Sequence, residues 1–340
     1  ESRMRHIIID ADTGIDDSLA ILYALRSPNF VVEGITTCYG NSNAYQSAEN
    51  SIRLIALARC GYEVPVAVGA NESIDGVFES APPYIHGDNG IGNVRLPESK
   101  QKVLDEHAVD FILRKAEELD GELEIITTGR MTNLALAVQK DPKLPKKVKR
   151  VVTMGGTLFE VGNINPYAEA NIEGDARAAD IVFRAGFNMI LVGMDVTMKT
   201  FITDREIHNL CRNCKKDCKQ IADYIQEVLK LYFEFYRVGG GMVDQCVVHD
   251  PLAMLIAEDP SLGEYKMLRA GVEYESEKYH GMITYDTGFI PNLDRGEIMI
   301  CTSVDSKRAV RRLFSVFQEM TFGRYNICLL YTSDAADDKA

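Results

Sequence analysis

No apolar run in the 340-residue chain approaches the ~20 residues that cross a bilayer, so no transmembrane helix is expected. Positive charge is also in short supply. Against 50 Asp and Glu stand 37 Lys and Arg, a net charge of −13. Nucleic acid and anionic membranes both demand a basic face, so neither is an expected partner and a small neutral molecule is. The eight cysteines show no secreted disulfide spacing and no signal peptide precedes Met4, which makes the expected location cytoplasmic. There is no Pro/Gly/Ser-rich linker, internal repeat or low-complexity tract, and 46% hydrophobic content suffices for one large domain.

Two segments invite readings that do not hold up. Cys211, Cys214 and Cys218 form C-x-x-C-x-x-x-C, a spacing that metal or Fe–S ligands can use. They sit in or beside a basic stretch of helical character, Arg212 to Lys219, and the same spacing sets the three on one face of a helix, which is the expected arrangement. Residues 328–337 can be encoded by a reading frame of a transposon-based sequencing-library adapter. Within a tail over 323–340, residues 328–337 are therefore read as an assembly scar, and Glu1-Ser2-Arg3 as preceding the native start. The expected domain is 4–322.

What the chain does have is acid in one place. Asp10, Asp12, Asp16 and Asp17 follow directly on the apolar run Ile7-Ile8-Ile9. Like charges this close raise one another's pKa or recruit a cation, and oxygen-only ligands suit Ca²⁺ or Mg²⁺. Ile15, Leu19, Ile21, Leu22 and Leu25 then give a helical stripe that Ser27-Pro28 ends. The aspartates thus span a strand tip and a first helical turn, where sites form in open α/β sheets.

Strand and helix patterns alternate along most of the chain. Strands are predicted at 5–11, 31–38, 64–68, 123–128, 148–154 and 190–192, with helices at about 43–60, 102–118, 131–140 and 173–185. Residues 203–237 read as mostly helical, 262–301 hold strand-like pieces, and 304–317 reads as a closing helix. The expected fold is doubly wound α/β, a mostly parallel sheet flanked by helices in a single domain. Two long polar loops, 72–95 and 156–170, stand out as functional candidates.

The spacing D-x-D-x-x-x-D-D resembles the signature of the Ca²⁺-dependent nucleoside hydrolases, which cleave the N-glycosidic bond of ribonucleosides. The likeness runs in order through Cys38-Tyr39-Gly40-Asn41, His86-Gly87-Asp88-Asn89-Gly90-Ile91-Gly92, Thr128-Gly129-Arg130-Met131-Thr132-Asn133, Asn163 to Asn171 and His249-Asp250. It implies that Asp12, Asp17, Asp250 and the main-chain carbonyl of Thr128 bind Ca²⁺. It further implies that Asp12 is the general base, that Asp16, Asn41, Asn163, Glu169 and Asn171 hold the ribose, and that Asp10 supports the site from behind. His249 would approach the leaving base as its proton donor; on residue pattern alone, a His-Asp pair ahead of Pro251 equally suits a helix cap. A homodimer or homotetramer is implied as well.

Three positions depart from the family pattern. Thr13 stands in place of a proline in D-x-D-P-G, and Ala170 where many members carry an aromatic. In the G-P-L-T-N stretch the proline is Arg130, whose charge would weaken Ca²⁺ binding if it pointed inward, so an outward side chain is expected. The absence of tryptophan argues against the purine-specific branch, and His86 with His249 resembles the inosine/uridine-preferring one. Tyr232 and Tyr236, one helical turn apart, suit either base contact or ordinary packing. A haloacid-dehalogenase-like phosphatase shares the D-x-D-x-T start but does not account for Asp16-Asp17 or His249-Asp250. A catalytically silent Ca²⁺-dependent nucleoside-binding protein is the other alternative.

Overall fold

The computed structural model describes residues 3–286, 289 and 295–319. Residues 320–322 and the 323–340 tail lie outside that range. The strands are β1 (Arg5–Ala11), β2 (Phe30–Thr37), β3 (Val66–Val68), β4 (Leu123–Thr127), β5 (Arg150–Met154), β6 (Met189–Val192), β7 (Phe201–Thr203), β8 (Gln245–Val247), β9 (Gly263–Val272), β10 (Ile283–Asp286) and β11 (Gly296–Val304). The helices are α1 (Ile15–Arg26), α2 (Ala44–Ala58), α3 (Pro83–His86), α4 (Ala108–Glu118), α5 (Thr132–Lys140), α6 (Leu144–Lys147), α7 (Ala170–Glu173), α8 (Ala176–Arg184), α9 (Met194–Thr197), α10 (Asp204–Asn213), α11 (Lys219–Gly240), α12 (Asp250–Glu258) and α13 (Ser306–Ser315).

Among the described residues, nine strands form one sheet in the order β10-β9-β11-β6-β5-β4-β1-β2-β3. Strands β1 to β6 and β11 pair in parallel, and β9 runs antiparallel to β11 and β10 at one edge. Strand β1 shows why the middle is parallel: Ile7, Ile8 and Ile9 are wholly buried, Ile7 and Ile9 under one helical layer and Ile8 under the other. A strand covered on both faces needs a continuous apolar run. The layer over Ile7 and Ile9 includes α1, α2, α11 and α12; α4, α5 and α8 cover the opposite face. No helix among the described residues is long and apolar enough to cross a membrane.

Strand order reverses at β1, whose neighbours are β2 and β4. A crevice opens beyond the carboxyl ends of the strands at such a point, and the Asp10–Asp17 segment lies there.

Two helices differ most from their predicted spans, one through a tertiary contact and one through a local cap. The 203–237 stretch breaks at Cys214, which is extended (φ −65°, ψ 149°), because the next residue, Lys215, gives its amide to the Phe317 carbonyl at 2.7 Å. The three cysteines therefore do not share one helix face: Cys211 lies in the last turn of α10, Cys214 caps it and Cys218 lies in the following 3₁₀ turn. Helix α4 begins at Ala108 rather than 102, where His107 Nδ1 accepts the Val109 amide at 3.1 Å as its cap.

Candidate active site

Each predicted residue reaches the crevice by a definite route. The end of β1 delivers Asp10 and Asp12, and the first turn of α1 delivers Asp16 and Asp17. All four are buried. Asp10 lies behind the others, where Oδ2 accepts from Thr36 Oγ1 at 2.6 Å and Asn133 Nδ2 at 2.9 Å. Asp12 Oδ2 accepts the Asn41 amide at 2.9 Å. The close approach of Gly40 makes that possible, since a Cβ there would lie 2.1 Å from the same oxygen. Asp17 Oδ1 accepts from Thr128 Oγ1 at 2.6 Å, while Oδ2 takes Asn41 Nδ2 at 3.0 Å and the Gly14 amide at 3.2 Å.

Asp16 answers the helix-cap question. Its Oδ2 accepts the amides of His249 at 2.9 Å and Asp250 at 2.7 Å, so α1 supplies the cap of α12. The His249 side chain makes no cap bond. It is held instead between Thr197 Oγ1, 2.7 Å from Nδ1, and the Tyr236 hydroxyl, 3.0 Å from Nε2. Because Asp250 is the first residue of α12, this cap also draws a fifth carboxylate to the cluster.

One oxygen each of Asp10, Asp12 and Asp16 is buried with no hydrogen-bond partner. Asp12 and Asp250 each come within hydrogen-bonding reach of the Asp17 side chain. Burial, then the charge of Asp17, pushes the Asp12 carboxyl well above the usual carboxylate range. Asp250 is raised in the same way by burial and by Asp17, Asp16 and Asp12. Burial is also the main cause that lifts Asp16 to about 8 and Asp10 to about 6. A group of acids this costly to ionise is what a bound cation would relieve.

The donor chemistry fits a hard divalent cation, being all oxygen, buried and negatively charged. Among the described residues no three His, Cys, Asp or Glu side chains are already arranged as a metal cage, since Asp17 spends its oxygens on Thr128, Asn41 and Gly14.

A cavity of about 520 Å³ opens over the cluster, lined by Asp12, Asp16, Thr128, Asp250 and both predicted loops. In the 156–170 loop, Asp195 accepts the amides of Leu158, Phe159 and Glu160 at 2.7 to 3.1 Å. Glu169 accepts those of Gly156 at 2.7 Å, Asn171 at 2.8 Å and Ile172 at 3.2 Å. Asn163 Oδ1 accepts the Ala170 amide at 2.9 Å. Asn171 Nδ2 donates to the carbonyls of Thr128 at 3.0 Å and Met154 at 3.1 Å, which fixes the Thr128 carbonyl at the cavity wall.

On the other side, His86, Tyr232, Tyr236 and His249 form a chain of rings, with His86 5.5 Å from Tyr232 and Tyr232 5.4 Å from Tyr236. His86 Nδ1 accepts the Ile15 amide at 3.0 Å, so the proton of its neutral ring is on Nε2. Burial pushes both histidines down to about 4. A shallower concavity of about 590 Å³ beside α10 and β8, lined by Arg205, His208 and Arg212, contains none of these carboxylates.

Sequence reasoning overlooked Thr197 and Asp195, whose partners lie far away in the chain. It also placed Arg130 wrongly. That side chain is 9% exposed and lines the cavity, with Nη1 on the Glu79 carbonyl at 2.7 Å and the guanidinium 4.5 Å over the Tyr39 ring.

The model of the inosine-uridine preferring nucleoside hydrolases matches residues 7–311. The chain belongs to that family. Its activity is that of a ribonucleoside N-ribohydrolase, and the phosphatase alternative falls away. Among similar proteins, uridine nucleosidase 1 of Arabidopsis thaliana is 38% identical over 262 residues, 76% of each chain. A plant nucleoside hydrolase structure superimposes with a TM-score of 0.87 at 32% identity, covering 94% of this chain and all of that one. A purine-preferring ribonucleoside hydrolase from Gardnerella vaginalis gives 0.84 at 34% identity, covering 92% and 98%.

Proposed function

We propose that the nucleoside hydrolase accepts uridine and inosine among its ribonucleosides and works with one Ca²⁺, held by Asp12, Asp17, Asp250 and the Thr128 carbonyl. The observation that carries this reading is Asp12 Oδ1, buried and unpartnered beside Asp17 in a cavity that Asp250 and Thr128 also line. When bound, Ca²⁺ supplies charge that neutralises the cluster and acidifies a water ligand.

The protein's own groups do the rest. Asp12, oriented through Oδ2 by the Asn41 amide, presents Oδ1 to take the proton of the attacking water. Asp16 Oδ1, the Asn171 amide oxygen and the Glu169 carboxylate, together with Asn41 and Asn163, hold the ribose hydroxyls. Positive charge grows at C1′ as the C–N bond breaks, and carboxylates fixed around the sugar stabilise it.

The base leaves on the side of the aromatic chain. His249 is neutral near pH 7, so it assists through an N–H. With the Thr197 hydroxyl donating to Nδ1, Nε2–H donates to Tyr236, whose hydroxyl hydrogen is then turned to the base. His249 thus acts through Tyr236, and Tyr232 and His86 Nε2–H complete the base side. The relatives' names point to different bases, uridine in one and purines in another. The lack of tryptophan and the presence of both histidines support the inosine/uridine side for this chain.

Assembly as a homodimer or homotetramer goes with this reading on the family resemblance, and a cytoplasmic location on the lack of a secreted disulfide spacing among the cysteines. Calorimetric titration of the chelator-stripped protein, followed by a crystal structure with Ca²⁺, tests the metal assignment. One ion with oxygen ligands at about 2.3–2.6 Å from these four residues is expected. No uptake, or binding elsewhere, would overturn it.

A further inference from the structure

Arg130 is a buried cation with no carboxylate within ion-pair distance among the described residues. Such a charge needs compensation, and it finds three kinds. The Glu79 carbonyl takes Nη1 at 2.7 Å, the Tyr39 ring lies 4.5 Å beneath, and the remainder comes from the field of nearby acids, which include Asp12, Glu169 and Glu173. The slot is tight: a Cβ on Gly174 would fall 1.8 Å from Arg130 Nε, and the Tyr39 hydroxyl donates to the Gly174 carbonyl at 3.3 Å. Four separate pieces of chain meet at this side chain: the ends of β2 and β4, the α7–α8 junction and the 72–95 loop.

Arg130 is one of several ties on the loop, which include the Ile74 amide to Asp175 at 2.9 Å, Arg177 to Asp75 at 2.7 Å, the Ala81 amide to the Gly40 carbonyl at 2.7 Å, the Tyr84 ring on Phe235 at 6.1 Å and the Ile15 amide to His86 at 3.0 Å; of these, the Ala81 bond lies nearest the Arg130 contact in sequence. Residues 79 to 82, which begin at the Arg130 contact, line the cavity and lead into His86.

We infer that Arg130 is a positioning residue with two opposed effects: it clamps the 79–86 segment to the cavity wall, and its fixed charge weakens the cluster's hold on a divalent cation. The second effect rests on the metal reading above. Arg130 draws on the same negative field that would bind the ion, so the two cations compete electrostatically.

Three variants separate the effects. R130M removes the charge and the clamp, R130K keeps the charge but loses the planar fork, and G174A displaces an intact Arg130. Gly174 has an ordinary helical φ of −58°, so alanine adds only the clash. In calorimetry of stripped protein, R130M should bind Ca²⁺ on the order of 3- to 10-fold more tightly, as a screened charge interaction allows, and R130K should stay within about twofold of wild type. At saturating Ca²⁺, all three should raise the nucleoside KM about fivefold or more, with kcat changed much less. Amide hydrogen exchange over 79–86 should quicken in all three, metal-free. Unchanged or weaker Ca²⁺ binding by R130M overturns the opposing charge. Wild-type KM and exchange in R130K and G174A overturn the clamp. If wild type itself takes up no Ca²⁺, the metal reading fails, and the exchange data still judge the clamp.

Discussion

Thr197→Val probes the base side through a residue that need not touch the substrate. Valine keeps the branching and nearly the volume of threonine at a wholly buried position and deletes the hydroxyl 2.7 Å from His249 Nδ1. A buried ring nitrogen stripped of its partner costs about 1–3 kcal/mol. In the arrangement proposed above, where the Thr197 hydroxyl donates to Nδ1, its loss also removes the bond that favours an Nε2–H aimed at Tyr236. If this cost falls mainly on the transition state, turnover should drop about 5- to 150-fold. The assay compares inosine or uridine with p-nitrophenyl riboside, whose phenolate leaves without protonation. A loss of about 10-fold or more on the nucleoside, less than about 3-fold on the aryl riboside, and recovery in Thr197→Ser is expected. Equal losses on both substrates would show that Thr197 merely holds Asp250 and its surroundings in place, and unchanged kinetics would remove the tautomer argument.

Asp12→Asn, assayed at saturating Ca²⁺, should slow turnover at least ~10²-fold if the carboxylate is the general base; near-wild-type turnover there would leave it a metal ligand only. Glu124→Gln, at the opposite end of the sheet, tests the fold: Glu124 is 4% exposed and pairs with Arg5 at 2.6 Å and Arg150 at 2.8 Å. Both guanidiniums keep carbonyl partners, so about 3 kcal/mol, the low end for breaking a buried pair, is expected by denaturant unfolding, and a loss under about 1 kcal/mol would contradict it. Burial pushes the Glu124 carboxyl up, but its hydrogen bond to Arg5 and the charges of both arginines bring it below 4.5, its ordinary value. Its stabilisation is therefore present above about pH 4.5 and lost as pH falls through the lower native value. The gap between wild type and Glu124→Gln should accordingly shrink on acidification below pH 4.5, and a constant gap would refute the linkage.

What could be read from the sequence depended on how far apart the cooperating residues lie. Asp10, Asp12, Asp16 and Asp17 share one strand–helix junction, so local periodicity already placed four acids at a strand tip. The parallel core was legible for a similar reason, since Ile7-Ile8-Ile9 and its counterparts are apolar without a break. His249 was ambiguous because its cap comes from Asp16, 233 residues away, and only the family resemblance favoured a role in the site. Arg130 was misjudged because its partners, the Glu79 carbonyl and the Tyr39 ring, belong to other loops, and nothing beside it in sequence announces them. Thr197 gave no signal at all. A hydroxyl at the end of an apolar run looks the same whether it meets a histidine or a backbone carbonyl.

The most direct test is ribose release by the chelator-treated protein, measured as reducing sugar on uridine, inosine and their 2′-deoxy counterparts, with and without added Ca²⁺. Release from the ribonucleosides that disappears on chelation, returns with Ca²⁺ and is far slower on the deoxy compounds is expected, because in the proposed reading the sugar hydroxyls are part of what the site holds. Full activity after exhaustive chelation, or equal rates on ribo- and deoxyribonucleosides, would contradict a calcium-centred grip on the ribose.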